Sequence, residues 1–183
     1  MNLAETVREI LVEAGKETAR ATPGSLAGRL ARETERCLDR VRFSPHQYMR
    51  HPILLWEDWE VMLIAWQSGQ ITPIHDHRGV MGGMAMLSGS LAEERFTTPG
   101  EVPRPRLADD RVRPEGDLCE IGPTVLHRLK PTTARAVSLH IYRPPLRTMG
   151  IWDDRGMNEI RASSFDVGEE ILARAVASGL SVR

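Results

Sequence analysis

The sequence predicts a mostly β fold, a sandwich or barrel of short strands in one domain over residues 1–183, with helices packed outside it on the N-terminal side. From Trp56 onward, short apolar runs alternate with Gly, Pro, Ser and Asp, and no helix-length periodic segment recurs until near Gly168. A helical period of apolar residues marks the first 42 residues instead. The length and a hydrophobic content of 41% suit one core of ordinary size.

Taken in order, Leu3, Val7, Ile10, Leu11 and Ala14 recur at helical spacing. Thr22-Pro23 has the form of an N-cap followed by proline in the first turn, and Leu26, Leu30, Cys37, Leu38 and Val41 then continue the period. Residues 1–42 are therefore expected to be two helices, a helical extension of the β-domain. The run from Trp59 to Trp66 reads as a strand. Thr97 to Arg106 holds Pro99, Pro103 and Pro105 among interleaved charges, so an exposed connection is expected there. Ile171, Leu172, Val176 and Ala177 would suit one face of a short helix over 168–178, within a C-terminal segment 154–183.

Charge narrows the partners. The 24 basic and 25 acidic residues leave a formal charge of −1, so no global field draws the chain to nucleic acid or an anionic membrane. Small-molecule chemistry is the default. Cys37 and Cys119 are too few for a disulfide scaffold and fall in different elements, so free thiols in a reducing compartment are expected. The N-terminus is acidic and amphipathic, and no window reaches the ~18 apolar residues of a membrane span. A cytoplasmic protein follows, with a monomer as the default state.

His75 and His77 stand two residues apart, so on a strand both imidazoles project to the same face. Gly69, His75-x-His77, Gly82 and Gly89 together reproduce the first motif of the cupin superfamily, whose usual glutamate ligand would fall at position 82, here glycine. Gly116, Pro123 and His127 match the outline of the second motif, which makes His127 the natural third ligand. Asp76 would face the other way on a regular strand and is read as structural. Three neutral imidazoles leave a divalent ion its full charge and, in an octahedral geometry, three open positions; an anionic soft donor such as a thiolate suits it. Zinc also accepts three histidines, so the ligands alone do not identify iron.

Ser138-Leu139-His140-Ile141-Tyr142 alternates polar and apolar, placing Ser138, His140 and Tyr142 on one strand face. The alternation alone is better explained by a solvent-facing strand. An inward polar face would need its members to hydrogen-bond one another, which a Ser-to-His-to-Tyr relay does.

Over about Tyr48 to Asp153 the chain resembles the thiol dioxygenases of the cupin superfamily, specifically the cysteine dioxygenase family. The likeness rests on Tyr48-Met49-Arg50, Ile74-His75-Asp76-His77, Leu126-His127-Arg128 and Ser138-Leu139-His140-Ile141-Tyr142-Arg143-Pro144-Pro145. It implies a cupin double-stranded β-helix, a jelly-roll barrel over about 48–153. It also implies ferrous iron, Fe2+, on His75, His77 and His127, a triad of Ser138, His140 and Tyr142, and a substrate carboxylate held by Arg50 with Tyr48 lining the same end. The implied reaction joins L-cysteine and dioxygen as cysteine sulfinic acid. The mammalian cross-linking cysteine is matched by Gly82, so Tyr142 is expected to stay uncross-linked. Met149 replaces a further pocket cysteine. Arg50 and the Pro144-Pro145 pair favour cysteine over 3-mercaptopropionate, the substrate of a sister group, and a non-catalytic metal-binding cupin is the more distant alternative.

Overall fold

The computed structural model describes residues 3–17, 21–56, 58–98, 104–153 and 155–162. The expected helix over 168–178 and the proline-rich residues 99–103 lie outside the described residues. Helix α1 spans Leu3–Glu17 and α2 spans Pro23–Thr34, followed by a 3-10 turn over Glu35–Arg40. The N-cap of α2 is a capping box. Thr22 Oγ1 accepts from Ser25 N and Ser25 Oγ accepts from Thr22 N, so two otherwise orphaned donors are satisfied.

Among the described residues eleven strands follow: β1 Met49–Trp56, β2 Trp59–Gln67, β3 Ile74–Asp76, β4 Met81–Ser88, β5 Leu91–Thr97, β6 Arg106–Arg113, β7 Leu118–Ile121, β8 Leu126–Pro131, β9 Arg135–Arg143, β10 Thr148–Asp153 and β11 Gly156–Arg161. They form two antiparallel sheets in the orders β1-β2-β9-β4-β7 and β11-β10-β3-β8-β5-β6. This is the jelly-roll arrangement expected, with the sheets left open at their edges. Strand β1 begins ahead of the apolar texture that starts at Trp56, and Pro52 hides it in the sequence. Proline is tolerated there because β1 is an edge strand, and the register shifts between Pro52 and Leu54. Strand β11 lies past Asp153, turned back onto β10 through Gly156 at φ +119°.

The central strands β2, β9 and β4 of the first sheet are buried on both faces. Val61, Leu63, Ala85, Leu87, Val137, Leu139 and Ile141 face outward and pack against Val7, Leu11, Leu26 and Leu30 of the helices. Met62, Ile64, Trp66, Met84, Met86 and Tyr142 face inward, toward the second sheet. The helices therefore cover a sheet face that would otherwise lie in water, which is why β2, β4 and β9 carry near-continuous apolar runs. Gly83 permits this docking: a Cβ there would stand 2.5 Å from the Pro23 backbone at the start of α2. Among the described residues, no helix is long and apolar enough to cross a membrane.

Candidate metal centre

Residues from two strand regions meet between the sheets. His75 is on β3, His77 directly follows that strand, and His127 is on β8 opposite His75 in register. One ligating atom from each of the three lies within 4.8 Å of the others, and all three side chains are buried. The chain leaves His77 by a two-residue turn in which Arg78 at φ +51° and Gly79 at φ +86° both take the left-handed region, closed by Val80 N donating to His77 O at 3.0 Å. Asp76 supports it from the other strand face: its carboxylate accepts from Arg78 N at 2.8 Å and from Trp152 Nε1 at 2.6 Å. Asp76 is thus held by the scaffold and is not part of the histidine cluster.

The electrostatics suit a cation. Burial first, and then the neighbouring histidines, hold the His75 and His77 pKa values well below the ordinary value, so both rings are neutral near pH 7. His75 Nδ1 is hydrogen-bonded to Pro73 O at 3.0 Å and His127 Nδ1 to Glu93 Oε1 at 3.1 Å, which directs their Nε2 lone pairs at the cluster. His127 Nε2 and His77 Nδ1 are buried with no hydrogen-bond partner. Orphaned imidazole nitrogens of this kind are costly unless something binds them, and a divalent metal ion fits.

A cleft of about 450 Å3, counting the space open to solvent, runs from the histidines to Tyr48 and Arg50, walled by Ile121, Leu146 and Met149. Arg50 is anchored at the far end, where Nη1 donates to Ala162 O at 2.9 Å and the guanidinium lies 5.9 Å from the Tyr48 ring centroid. Its Nε is buried and unpartnered. Tyr48 itself packs against Trp66 at a centroid distance of 4.8 Å.

Ser138, His140 and Tyr142 line the interior face of β9, so the solvent-facing expectation from alternation alone does not hold: both faces of that strand are covered. Ser138 pairs across with Ile64 and Met86, His140 with Met62 and Met84, and Tyr142 with Glu60 and Gly82. One direction satisfies every buried proton along this relay. Trp66 Nε1, a donor only, donates to Ser138 Oγ at 2.9 Å. The buried serine proton then has one acceptor, His140 Nε2 at 2.8 Å, so His140 carries its proton on Nδ1 and donates to Tyr142 Oη at 3.3 Å. The phenol proton is left for the cleft, where the Tyr142 ring lies 5.5 Å from that of His77. Burial depresses the His140 pKa to about 3 and raises that of Tyr142, so both are neutral across the physiological range. Gly82 stands opposite Tyr142 with room for little more than hydrogen, since a Cβ would be 3.2 Å from Tyr142 Cε1.

The sequence reading passed over two participants. The place of Trp66 at the end of an apolar strand points to core packing, which is correct for its ring but omits the indole N–H. Glu93 was not singled out, although the inward alternation with Leu91 on β5 offered a signal.

A histidine cluster between two jelly-roll sheets defines a cupin with the makings of a metal centre. An uncharacterised Klebsiella pneumoniae protein with a double-stranded beta-helix domain shares the fold at TM-score 0.51 and 16% identity, over 63% of this chain and 92% of that one. A protein from Bacillus halodurans does so at TM-score 0.50 and 16% identity, over 61% and 77%. The profile of the family described as Cysteine dioxygenase type I matches residues 38–155, and the chain belongs to that family. The human and bovine cysteine dioxygenase type 1 proteins are 30% and 29% identical to it over 120 residues, 63% of this chain. The match spans 60% of the length of those relatives.

Proposed function

We propose that the chain is a thiol dioxygenase that oxidises L-cysteine with dioxygen to cysteine sulfinic acid, using Fe2+ held by His75, His77 and His127. The observation that carries this reading is the arrangement of one cleft: three clustered, buried histidines at one end, two of them with an imidazole nitrogen that has no hydrogen-bond partner, and a buried arginine edge at the other. Cysteine offers a soft anionic sulfur to the first and a carboxylate to the second. Iron, when bound, supplies the meeting point of thiolate and dioxygen.

Each side chain then has a task. Arg50 holds the substrate carboxylate by charge-assisted hydrogen bonds, and its anchor on Ala162 O fixes the guanidinium plane beforehand. Tyr142 donates its proton into the cleft to polar atoms of the reactants, oriented by His140, Ser138 and Trp66 behind it. Leu146, Met149 and Ile121 exclude water from the reacting sulfur. The thiol proton leaves to solvent or buffer, sulfur gives up four electrons to dioxygen, and both oxygen atoms end bonded to sulfur as the sulfinate. Free Cys37 and Cys119 accord with a reducing, cytoplasmic setting.

Oxygen uptake by the anaerobically iron-loaded protein, with L-cysteine and 3-mercaptopropionate compared and the product identified, tests the reading. L-cysteine should be preferred and yield cysteine sulfinate. Replacing Arg50 with alanine should reduce kcat/KM for cysteine by about 10–100-fold, as loss of a charged hydrogen-bond pair implies, with little change in iron content. Absence of thiol-dependent uptake overturns the proposal; equal cysteine turnover by Arg50→Ala overturns the carboxylate assignment.

A further inference from the structure

Behind His127 lies a buried charge cluster that binds no substrate in the reading above. Glu93, 1% exposed, sits on β5 between β8 and β6, diagonally across from His127 on one side and Arg113 on the other. Its Oε1 accepts from His127 Nδ1 and from Arg95 Nε, both at 3.1 Å. Its Oε2 accepts from Arg113 Nε at 3.0 Å and Nη2 at 2.6 Å, and from Arg95 Nη2 at 3.3 Å. Arg113 continues to Asp117 at 2.9 Å.

A carboxylate this deep is costly to bury unless its charge is matched, and here two guanidinium groups match it. Both carboxylate oxygens take guanidinium N–H groups, so Glu93 meets His127 as an acceptor, which puts a proton of His127 on Nδ1 and turns Nε2 toward the cluster. Two of the histidines are backed, and unequally: His75 by a backbone carbonyl, His127 by a carboxylate.

We propose that Glu93 is a positioning residue for the metal, which fixes the tautomer of His127, strengthens Nε2 as a donor and restores, one layer behind the ion, the carboxylate that position 82 lacks. Arg113 and Arg95 pin that carboxylate in place. The inference rests on reading His127 as a ligand, and not on which thiol is oxidised. A ligand carboxylate at position 82 would cancel part of the charge of the ion; from behind His127, Glu93 steers the ligand while leaving the open positions cationic and ready for a thiolate.

Two measurements test it on the full chain. Long-range proton–nitrogen spectra of the metal-free protein labelled on histidine should show His127 protonated on Nδ1; an Nε2–H tautomer overturns the proposal without any variant being made. Cobalt(II) affinity, measured by competition with a chelator, should fall by about 10–100-fold in Glu93→Ala. In Glu93→Gln it should fall less, because the amide oxygen still accepts from His127. Glu94→Gln is the control, since Glu94 bonds to Arg128 and Lys130 on the opposite strand face and should leave affinity unchanged. Wild-type affinity in folded Glu93 variants, or an equal loss in Glu94→Gln, overturns the proposal. If Glu93→Ala does not fold, Glu93→Gln and the tautomer decide. Cobalt binding needs no oxygen chemistry, so a protein inactive toward thiols would sink the dioxygenase reading and leave this one standing.

Discussion

Replacing Trp66 with phenylalanine removes the donor that stands at the start of the relay behind Tyr142. The indole is 1% exposed and its Nε1–H donates to the fully buried Ser138 Oγ at 2.9 Å. Losing that hydrogen bond leaves a buried serine lone pair unsatisfied, at about 1–3 kcal/mol. The missing part of the ring adds a void worth about 1 kcal/mol, well below the 3–5 kcal/mol of a full tryptophan truncation. A total of about 2–4 kcal/mol is expected in chemical denaturation. The functional consequence is separate. The indole donation polarises the serine O–H toward His140, so its loss lowers the cost of the opposite tautomer, in which His140 Nε2–H donates to Ser138, the imidazole accepts the Tyr142 proton at Nδ1 and the phenol turns away from the cleft. Each 1.4 kcal/mol by which that tautomer gains costs about tenfold in correctly oriented tyrosine. Turnover should therefore fall in Trp66→Phe with KM for the thiol little changed, and Ser138→Ala should mimic the loss. A variant as stable as wild type, or one whose kcat is intact, would refute the directional relay.

Other consequences can be checked with the same protein. The metal-free chain should lose stability as pH falls below about 6.5, the unfolded histidine value. The folded pKa values of His75, His77 and His140 are depressed, that of His140 to about 3, so each contributes stability above pH 6.5 that is lost on the way down at about 1.4 kcal/mol per pH unit. Glu93, also depressed, should steepen the decline below about pH 4.5, and denaturation midpoints across pH 4–8 that stay flat would contradict this. Adjacent glycines on β4 should respond differently to alanine. Gly82→Ala meets the movable Tyr142 ring at 3.2 Å and should cost about 1 kcal/mol while lowering turnover, whereas Gly83→Ala meets the Pro23 backbone at 2.5 Å and should cost about 3 kcal/mol by displacing α2. Thermal melts and assays of the pair separate the two effects.

Much of the site could be read from the sequence because its spacing matches strand geometry. A two-residue interval placed His75 beside His77 and strung Ser138, His140 and Tyr142 along one face, while a Gly and Pro turn pointed to His127. What the sequence concealed depends on partners far apart in the chain. Trp66 meets Ser138 across 72 residues, and Glu93 meets His127 across 34. Glu93-Glu94-Arg95 reads as a solvated charge run until strand pairing puts Glu93 inward and Glu94 outward. The polar alternation of β9 suggested a wet face for the same reason: the second sheet and the helices that cover it are remote in sequence. Strand β1 was masked by Pro52, which an edge position accommodates.

The central claim is that one cleft joins a three-histidine metal centre to a carboxylate grip in order to place both atoms of dioxygen on a thiol sulfur. Turnover of L-cysteine under 18O2 by the iron-loaded protein, with mass analysis of the product, measures this directly. Cysteine sulfinate carrying two labelled oxygen atoms is the predicted result. A sulfinate with one label, or disulfide as the sole product, would contradict it.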